Sequence, residues 1–459
     1  MATASGTGDG SGGKEPKLPG ITYQELLDAD TKPAPKQLRD CSPPDVDVAF
    51  VPRSRYTSQA FHDLEMEKLW GRVWQMACRE EQIPEVGDHV VYEIGDHSIL
   101  VVRSADDRIQ AFENVCLHRG RLLREQGGRV DRFRCPFHGW TWGLDGKLDE
   151  LPCKWDFPQV DRAEFHLPEL KVGTFAGFVF INMDPDCEPF EDWIGILPAH
   201  FERWPLQDRY LEAHVVKHLP CNWKVAQEAF MEAYHAVATH PQLLPSLGDC
   251  NSQYDVWGNV SRAMTASASP SPHLQGEIDE QAILDSMTGR SIDGPPILQV
   301  PTGMTARALI AQIARNQNQQ AVPGVYELTD AECIDSIYYT LFPNFHPWAG
   351  LSKVNYRFRP FENDPNRCIM EVFFLAPFRG KRPKPAEPTV IGIDEDWTKC
   401  PELEQLAKVF NQDTFNMGKI QAGLRARPDG RVPFAQYQES KIRHFHMLLE
   451  RWLGEEANA

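Results

Sequence analysis

The sequence predicts an α+β protein: a small all-β unit, then a larger domain of helices around an antiparallel sheet. Three observations carry this. Between residues 84 and 185, short runs rich in β-branched and aromatic residues (89–94, 98–103, 108–115 and 177–182) are separated by turn formers such as Gly95-Asp96. Beyond residue 196, strand-like runs at 215–219, 336–342, 352–358 and 368–375 are most simply paired antiparallel. Helical spacing at 403–424 and 436–453 closes the chain.

At 459 residues the chain is long enough for two or three domains of roughly 150 residues each. The expected division is a flexible tail and arm (1–49), a helix plus the all-β unit (50–190), and the mixed domain (191–459). The acidic stretch 184–192, with Pro185 and Pro189, marks the second border. Residues 1–17 are Gly/Ser/Thr-rich and lack the apolar core of a secretory signal. They read as a disordered tail. The Pro-rich arm at 20–47 has one short helical patch at 23–29. Residues 58–78 have helical spacing: Ser58 is a candidate N-cap, and Phe61, Leu64, Leu69, Val73 and Met76 lie on one apolar face. Residues 250–325 show little periodicity and read as loops over a site or partial disorder.

The formal net charge of −18 argues against a generic nucleic-acid or anionic-membrane surface. No apolar run approaches the ~18 residues of a membrane span. Eleven scattered cysteines, an odd count, argue against a disulfide framework and for a reducing compartment. The expectation is a soluble cytoplasmic protein.

Two sets of metal-ligand residues stand out. The first is Cys116-Leu-His118 followed, after sixteen residues, by Cys135-Pro-Phe-His138. Two thiolates and two imidazoles also make a structural zinc site. Zinc fingers, however, usually pair like with like, whereas each pair here mixes one Cys with one His. That mixing suits two irons, with both loops giving one ligand to each: the donor set of a Rieske [2Fe–2S] centre. The second set lies in the segment 222–241, where Glu228, Glu232 and His235 are spaced i, i+4, i+7 and so share one face of a helix. His240 precedes Pro241, where the helix should break and let a second imidazole turn back. Two His and a carboxylate from elsewhere make the facial triad of non-haem Fe(II).

Cys116-x-His118-Arg119-Gly120 and Cys135-Pro136-x-His138-Gly139-Trp140 resemble the Rieske domain of ring-hydroxylating oxygenases. Neither ligand loop has the extra cysteine of the respiratory Rieske proteins, which implies the low-potential type. Arg119 and Arg121 read either as stabilising the cluster's charge or as solvated surface residues. Asn222-Trp223-Lys224 and Glu232-x-Tyr234-His235, with His240, resemble the mononuclear-iron segment of the same family. Gln412-Asp413 with Gln421-x-Gly423 resembles its late helix, which makes Asp413 the implied third ligand; Asp394 and Asp396 are the alternatives.

The resemblance implies the α (catalytic) subunit of a Rieske non-haem iron oxygenase, with a Rieske domain followed by a helix-grip catalytic domain. It implies one [2Fe–2S] cluster on Cys116, His118, Cys135 and His138, and one Fe2+ on His235, His240 and Asp413. Glu232 is then the bridge that carries electrons from a neighbouring subunit's cluster. Electrons would come from NAD(P)H through a separate reductase, with or without ferredoxin. The partners would be O2, a small-molecule substrate and further subunits, as a homotrimer or an α3β3 assembly. Two departures weaken a purely dihydroxylating reading: the bridging acid is Glu rather than Asp, and Ala229 stands where Asn often follows the first acid. The leading substrate class is an apolar aromatic or alicyclic molecule. The alternatives are a monooxygenase or demethylase acting on a smaller or quaternary-ammonium compound, and an electron carrier fused to an inactive binding domain. Tyr338, Tyr339, Phe342, Phe345 and Trp348 form an aromatic stripe that reads either as pocket wall or as core.

Overall fold

The computed structural model describes residues 20–288, 297–427 and 430–454. The tail expected at 1–17 lies outside the described residues. A seven-stranded sheet runs in the order Gln75–Arg79, Phe178–Asn182, Glu169–Phe175, Arg108–Glu113, His97–Ala105, Asp88–Ile94 and Gly128–Arg129. Its strands alternate as the residue types demand: Tyr92 pairs with Ile99 and Ile94 with His97 across a tight turn at Gly95, whose φ of 54° a side chain rarely adopts. A three-stranded sheet of Phe133–Arg134, Thr141–Trp142 and Leu148–Glu150 packs beside it.

The second, eight-stranded sheet has the order Leu247–Trp257, Val260–Ser267, Ser336–Leu341, Phe345–Pro347, Val354–Phe361, Asp364–Pro377, Arg209–Leu219 and Pro388–Ile391. All of its pairs are antiparallel except the last, since Pro388–Ile391 runs parallel to Arg209–Leu219. The Pro-rich loop before it carries the chain back along the sheet, and a proline is tolerated at this edge because nothing beyond it needs the missing N–H. Lys217 fastens the end of that strand by donating to the carbonyls of Gly392, Ile393 and Glu395.

The two large sheets meet face to face. Phe345 packs against Phe178 and Phe180, with centroids 4.7 and 5.5 Å apart. Arg357, buried, bonds twice to the Glu371 carboxylate and donates to the carbonyls of Met76 and Ala77 on the other sheet. The planar, five-donor guanidinium suits a residue that must satisfy a carboxylate and two foreign carbonyls together. Phe345 is core in this contact, and Tyr339 and Phe342, equally buried, are core against the helices that carry Phe201, Trp193 and Phe445.

Several expected elements are shorter than their spacing suggested. Ser58 does cap a helix, accepting from Phe61 N at 3.3 Å, but the α-helix covers only Gln59–Glu65 and a π-helical turn Met66–Trp70 ends it. Met76 instead lies in the all-buried strand Gln75–Arg79, where a fully buried strand and a helix face give the same apolar run. The stretch expected to be loops contains the long strands Leu247–Trp257 and Val260–Ser267 and the helices Glu280–Thr288 and Ala306–Asn318. Sheet pairing overrides its weak local pattern. The arm carries the helix Tyr23–Asp28, held by a capping box between Thr22 and Glu25, and lies along the second sheet, where Arg262 reaches the carbonyls of Gln37 and Asp40.

Candidate metal centres

The four residues of the first set sit at the tips of two loops with the same backbone plan. Cys116 N–H donates to the carbonyl of Arg121 while the Cys116 carbonyl accepts from Gly120 N–H; Cys135 N–H donates to the carbonyl of Trp140 while the Cys135 carbonyl accepts from Gly139 N–H. Both glycines have left-handed φ, 75° and 78°, which is why each loop needs a glycine four residues after its cysteine. Asn114 stiffens the first loop, its Oδ1 accepting from Leu123 N and Arg124 N while its Nδ2 donates to Ser98 and Arg124.

The cysteines are buried and the histidines lie outward, His138 exposed. The two rings approach to 4.6 Å, and His118 stacks on Trp140 at 2°. Nδ1 of His118 is buried without a hydrogen-bond partner, as a ring nitrogen kept for a metal should be. No three of the four donors converge within 4.8 Å of one another. A two-iron cluster divides its four protein ligands between two metals and so suits donors that do not share one point. The residues fit the cluster. Of the nearby arginines, Arg121 pairs with Glu125 at 2.6 Å and Arg119 lies over the Phe137 ring.

In the second set the donors do converge: His235, His240 and Asp413 bring ligand atoms within 4.8 Å of one another. Asp413 Oδ1 lies 2.7 Å from His240 Nε2 and 3.5 Å from His235 Nε2. Asp413 comes from the middle of the 21-residue helix Leu406–Ala426. Of the alternatives, Asp396 is spent capping the turn at Thr398 and binding Asn411.

The opposite ring nitrogens are also held. His235 Nδ1 donates to Glu232 Oε1 at 2.7 Å, and Glu232 Oε2 accepts from His235 N at 2.9 Å. His240 Nδ1 donates to Gln412 Oε1 at 2.9 Å. In the sequence Gln412 stands only as the motif residue before Asp413; its hold on His240 comes from the fold. Without a metal, burial disfavours a charged His235 ring, but Asp413 and Glu232 outweigh it and push its pKa up to about 10. Burial likewise works against an ionised Asp413, and the two imidazoles overcome it and lower its carboxyl. Two imidazoles and one carboxylate around a single point, with each far nitrogen fixed by an acceptor, are the donor set of a mononuclear iron site.

The expected common face of Glu228, Glu232 and His235 is not formed. The helix that Asn222 caps runs only Trp223–Glu228; a turn follows, and a second short helix Ala236–Thr239 starts after His235. Glu232 lies beyond the end of that first helix, and its carboxylate accepts from both the His235 N–H and the His235 ring. Glu228 is turned to another cluster, where it accepts from Tyr56 Oη at 3.0 Å and His446 Nε2 at 3.0 Å.

Residues 200–455 match the family model of the ring-hydroxylating α subunit's catalytic domain, and residues 73–161 match that of the Rieske [2Fe–2S] domain. The chain belongs to the Rieske ring-hydroxylating oxygenase α-subunit family. A Rieske domain thus precedes the catalytic domain, and together they imply a [2Fe–2S] cluster and a mononuclear iron. Among the relatives of this family member is the glycine betaine monooxygenase oxygenase subunit of Pseudomonas aeruginosa, 28% identical over 262 residues, which are 53% of this chain and 60% of that protein. Chlorobenzene dioxygenase subunit alpha of a Cupriavidus species is 36% identical over 196 residues, 40% of this chain and 42% of that one. The chain therefore spans about 60% or less of the length of these two relatives. Among solved structures, a quaternary ammonium Rieske monooxygenase superposes with a TM-score of 0.63 at 20% identity, covering 89% of this chain and 96% of its own. Naphthalene 1,2-dioxygenase with indole bound gives 0.61 at 18%, covering 89% and 95%. The fold is common to both kinds of oxygenase.

Proposed function

We propose that this chain is the terminal oxygenase component of a Rieske system. In this reading Cys116, His118, Cys135 and His138 hold the cluster, His235, His240 and Asp413 hold Fe2+, and Glu232 links the two centres. The convergence of both histidine Nε2 atoms on Asp413 Oδ1 carries the reading. When bound, the cluster supplies single electrons and the Fe2+ supplies open coordination positions for dioxygen. The protein's own residues do the positioning. Glu232 and Gln412 accept from the two Nδ1 atoms and so turn both Nε2 lone pairs toward one point. We assign 1–49 to the tail and arm, 50–190 to the unit that carries the cluster and 191–459 to the unit that carries the iron. Both family matches fall within the latter two. Electrons arrive from NAD(P)H through a separate reductase, with or without ferredoxin, and the eleven free cysteines suit a reducing cytoplasm.

The substrate is an apolar aromatic or alicyclic molecule. An aromatic wall supports this. Phe230 packs on Tyr356, Trp348 packs on Tyr356, and Tyr338 stacks on Trp348. The wall lies near the triad, since the Asp413 carboxylate, after burial, helps hold the Tyr356 hydroxyl well above its usual range. The same aromatic faces would also receive a quaternary ammonium, and Glu232 together with the glycine betaine and quaternary-ammonium monooxygenases among the relatives supports that second reading. Turnover with a reductase and a panel of apolar aromatic, alicyclic and quaternary-ammonium compounds separates them. Diols or alcohols from ring compounds support the first reading; aldehyde release from the ammonium compounds alone would replace it with the second.

Copies of the chain meet head to tail, as a homotrimer or an α3β3 assembly, so that one subunit's cluster faces its neighbour's Glu232. Apolar side chains stand exposed on both parts: Leu122, Phe137 and Trp155 in the unit with the cluster, and Tyr234, Phe415 and Ile420 in the unit with the iron. Exposed large apolar groups commonly mark an interface. Co-expression of C116S chains, which lack the cluster, with H235A chains, which lack the iron, tests this. Mixed assemblies should regain part of the activity that neither variant has alone, and none is regained if electrons pass only within a chain.

A further inference from the structure

Outside the two centres, a third convergence of ligand types occurs. Donor atoms of Asp249, Cys250 and His273 all lie within 4.8 Å of one another. Consecutive residues of a strand point to opposite faces, so Asp249 and Cys250 should diverge. A bulge brings them together: Gly248 pairs with Ala266 and Gln253 with Met264, so that residues 249–252 stand opposite Thr265 alone. Asp249 and Cys250 are both buried as a result.

The bulge and the facing turn are held by hydrogen bonds that engage only one of the two Asp249 carboxylate oxygens. Ser252 Oγ donates to the Asp249 carbonyl, and Gln438 Nε2 donates to the Cys250 carbonyl. Across the gap, Ser271 N donates to the Leu244 carbonyl, Ser271 Oγ donates to Asp249 Oδ1 at 2.8 Å, and His273 N donates to Ser271 Oγ. The other carboxylate oxygen, Asp249 Oδ2, is fully buried without a hydrogen-bond partner. Among the described residues Asp249 forms no ion pair, and burying a carboxylate oxygen with no partner is unfavourable. A divalent cation would offset that cost.

We propose that Asp249, Cys250 and His273 form a second metal site, for a zinc-type cation. One thiolate, one imidazole and one carboxylate suit a borderline-soft metal better than Mg2+ or Ca2+. The exposed His273 leaves room for solvent at a fourth position. The metal ties the turn at 270–273 to the strand that leaves the His240 loop, so its role is to hold that strand in place. It takes no part in oxygen chemistry.

The test is metal analysis of the purified holoprotein equilibrated with Zn2+ and then desalted, with D413A as the background that removes binding at the iron site. About one zinc per chain should survive in D413A. In the same background H273A should weaken zinc binding by about 10-fold or more, and C250S should abolish it, with the cluster absorbance of each unchanged. Cobalt in place of zinc should give a thiolate-to-metal charge-transfer band that C250S lacks. Because His273 is exposed, H273A probes the site without disturbing the core. Zinc absent from the D413A protein, or bound equally well by H273A and C250S, would overturn the proposal.

Discussion

Nδ1 of His240 donates to Gln412 Oε1 at 2.9 Å, and the next residue, Asp413, meets Nε2 of the same ring at 2.7 Å. One stretch of helix therefore holds both ends of one imidazole: Asp413 lies on the metal side, and Gln412 fixes the tautomer that leaves Nε2 unprotonated for a metal. Q412A keeps Asp413 but frees the ring, and should lower iron affinity or activity by about 10–100-fold. Iron per chain and the split between kcat and KM check this; wild-type values for both would leave Gln412 no positioning role.

H235A removes one donor from the second set and none from the first. The cluster's visible and reduced-state EPR spectra should persist, while iron falls from about three to about two per chain and turnover is lost. Loss of the cluster spectrum would mean that the two sets had been assigned to the wrong centres.

Glu232 is within reach of both the His235 ring and its backbone N–H. E232Q keeps an oxygen acceptor but loses the charge that favours a proton on His235 Nδ1. Both metals should remain bound, with reoxidation of the reduced cluster slowed by about 10–100-fold. Single-turnover kinetics of the cluster absorbance would detect this, and an unchanged rate would remove the bridging role.

Burial pushes the Glu228 carboxyl up to about 8 from its ordinary 4.5, against the hydrogen bond from Tyr56. The folded state therefore holds a proton that the unfolded chain releases near 4.5. Stability from this group is full below about 4.5 and is lost as the pH rises through about 8. E228Q cannot ionise, so its Tm relative to wild type should rise between pH 5 and pH 8. A difference that stays flat across that range would show that Glu228 is already ionised at the lower pH.

Arg357 binds Glu371 across one sheet and two carbonyls of the other, with both side chains buried. R357A leaves Glu371 with only Arg359 and His214, and should cost about 3–5 kcal/mol in denaturant unfolding. Below about 1 kcal/mol, the pair would have to be counted as solvated.

The sequence by itself determined the ligand inventory. Each Cys–His pair lies within one loop, and His235 and His240 are five residues apart, so their spacing alone limits the chemistry. It also determined four strands of each large sheet, because runs of β-branched and aromatic residues are a local signal. Only the tertiary structure decided the rest. Asp413 reaches His240 from 173 residues away through the packing of a helix on a sheet. Glu228, at the right spacing for the iron, is turned away because the helix ends beneath it. Phe345, apolar enough for a pocket, went into the contact between the sheets, while Tyr339 and Phe342 pack on helices, against Phe201 and against Trp193 and Phe445. Asp249, Cys250 and His273 converge because of a bulge whose register depends on the neighbouring strand. Local spacing is written in the chain; convergence across strands depends on register and packing, which no single segment carries.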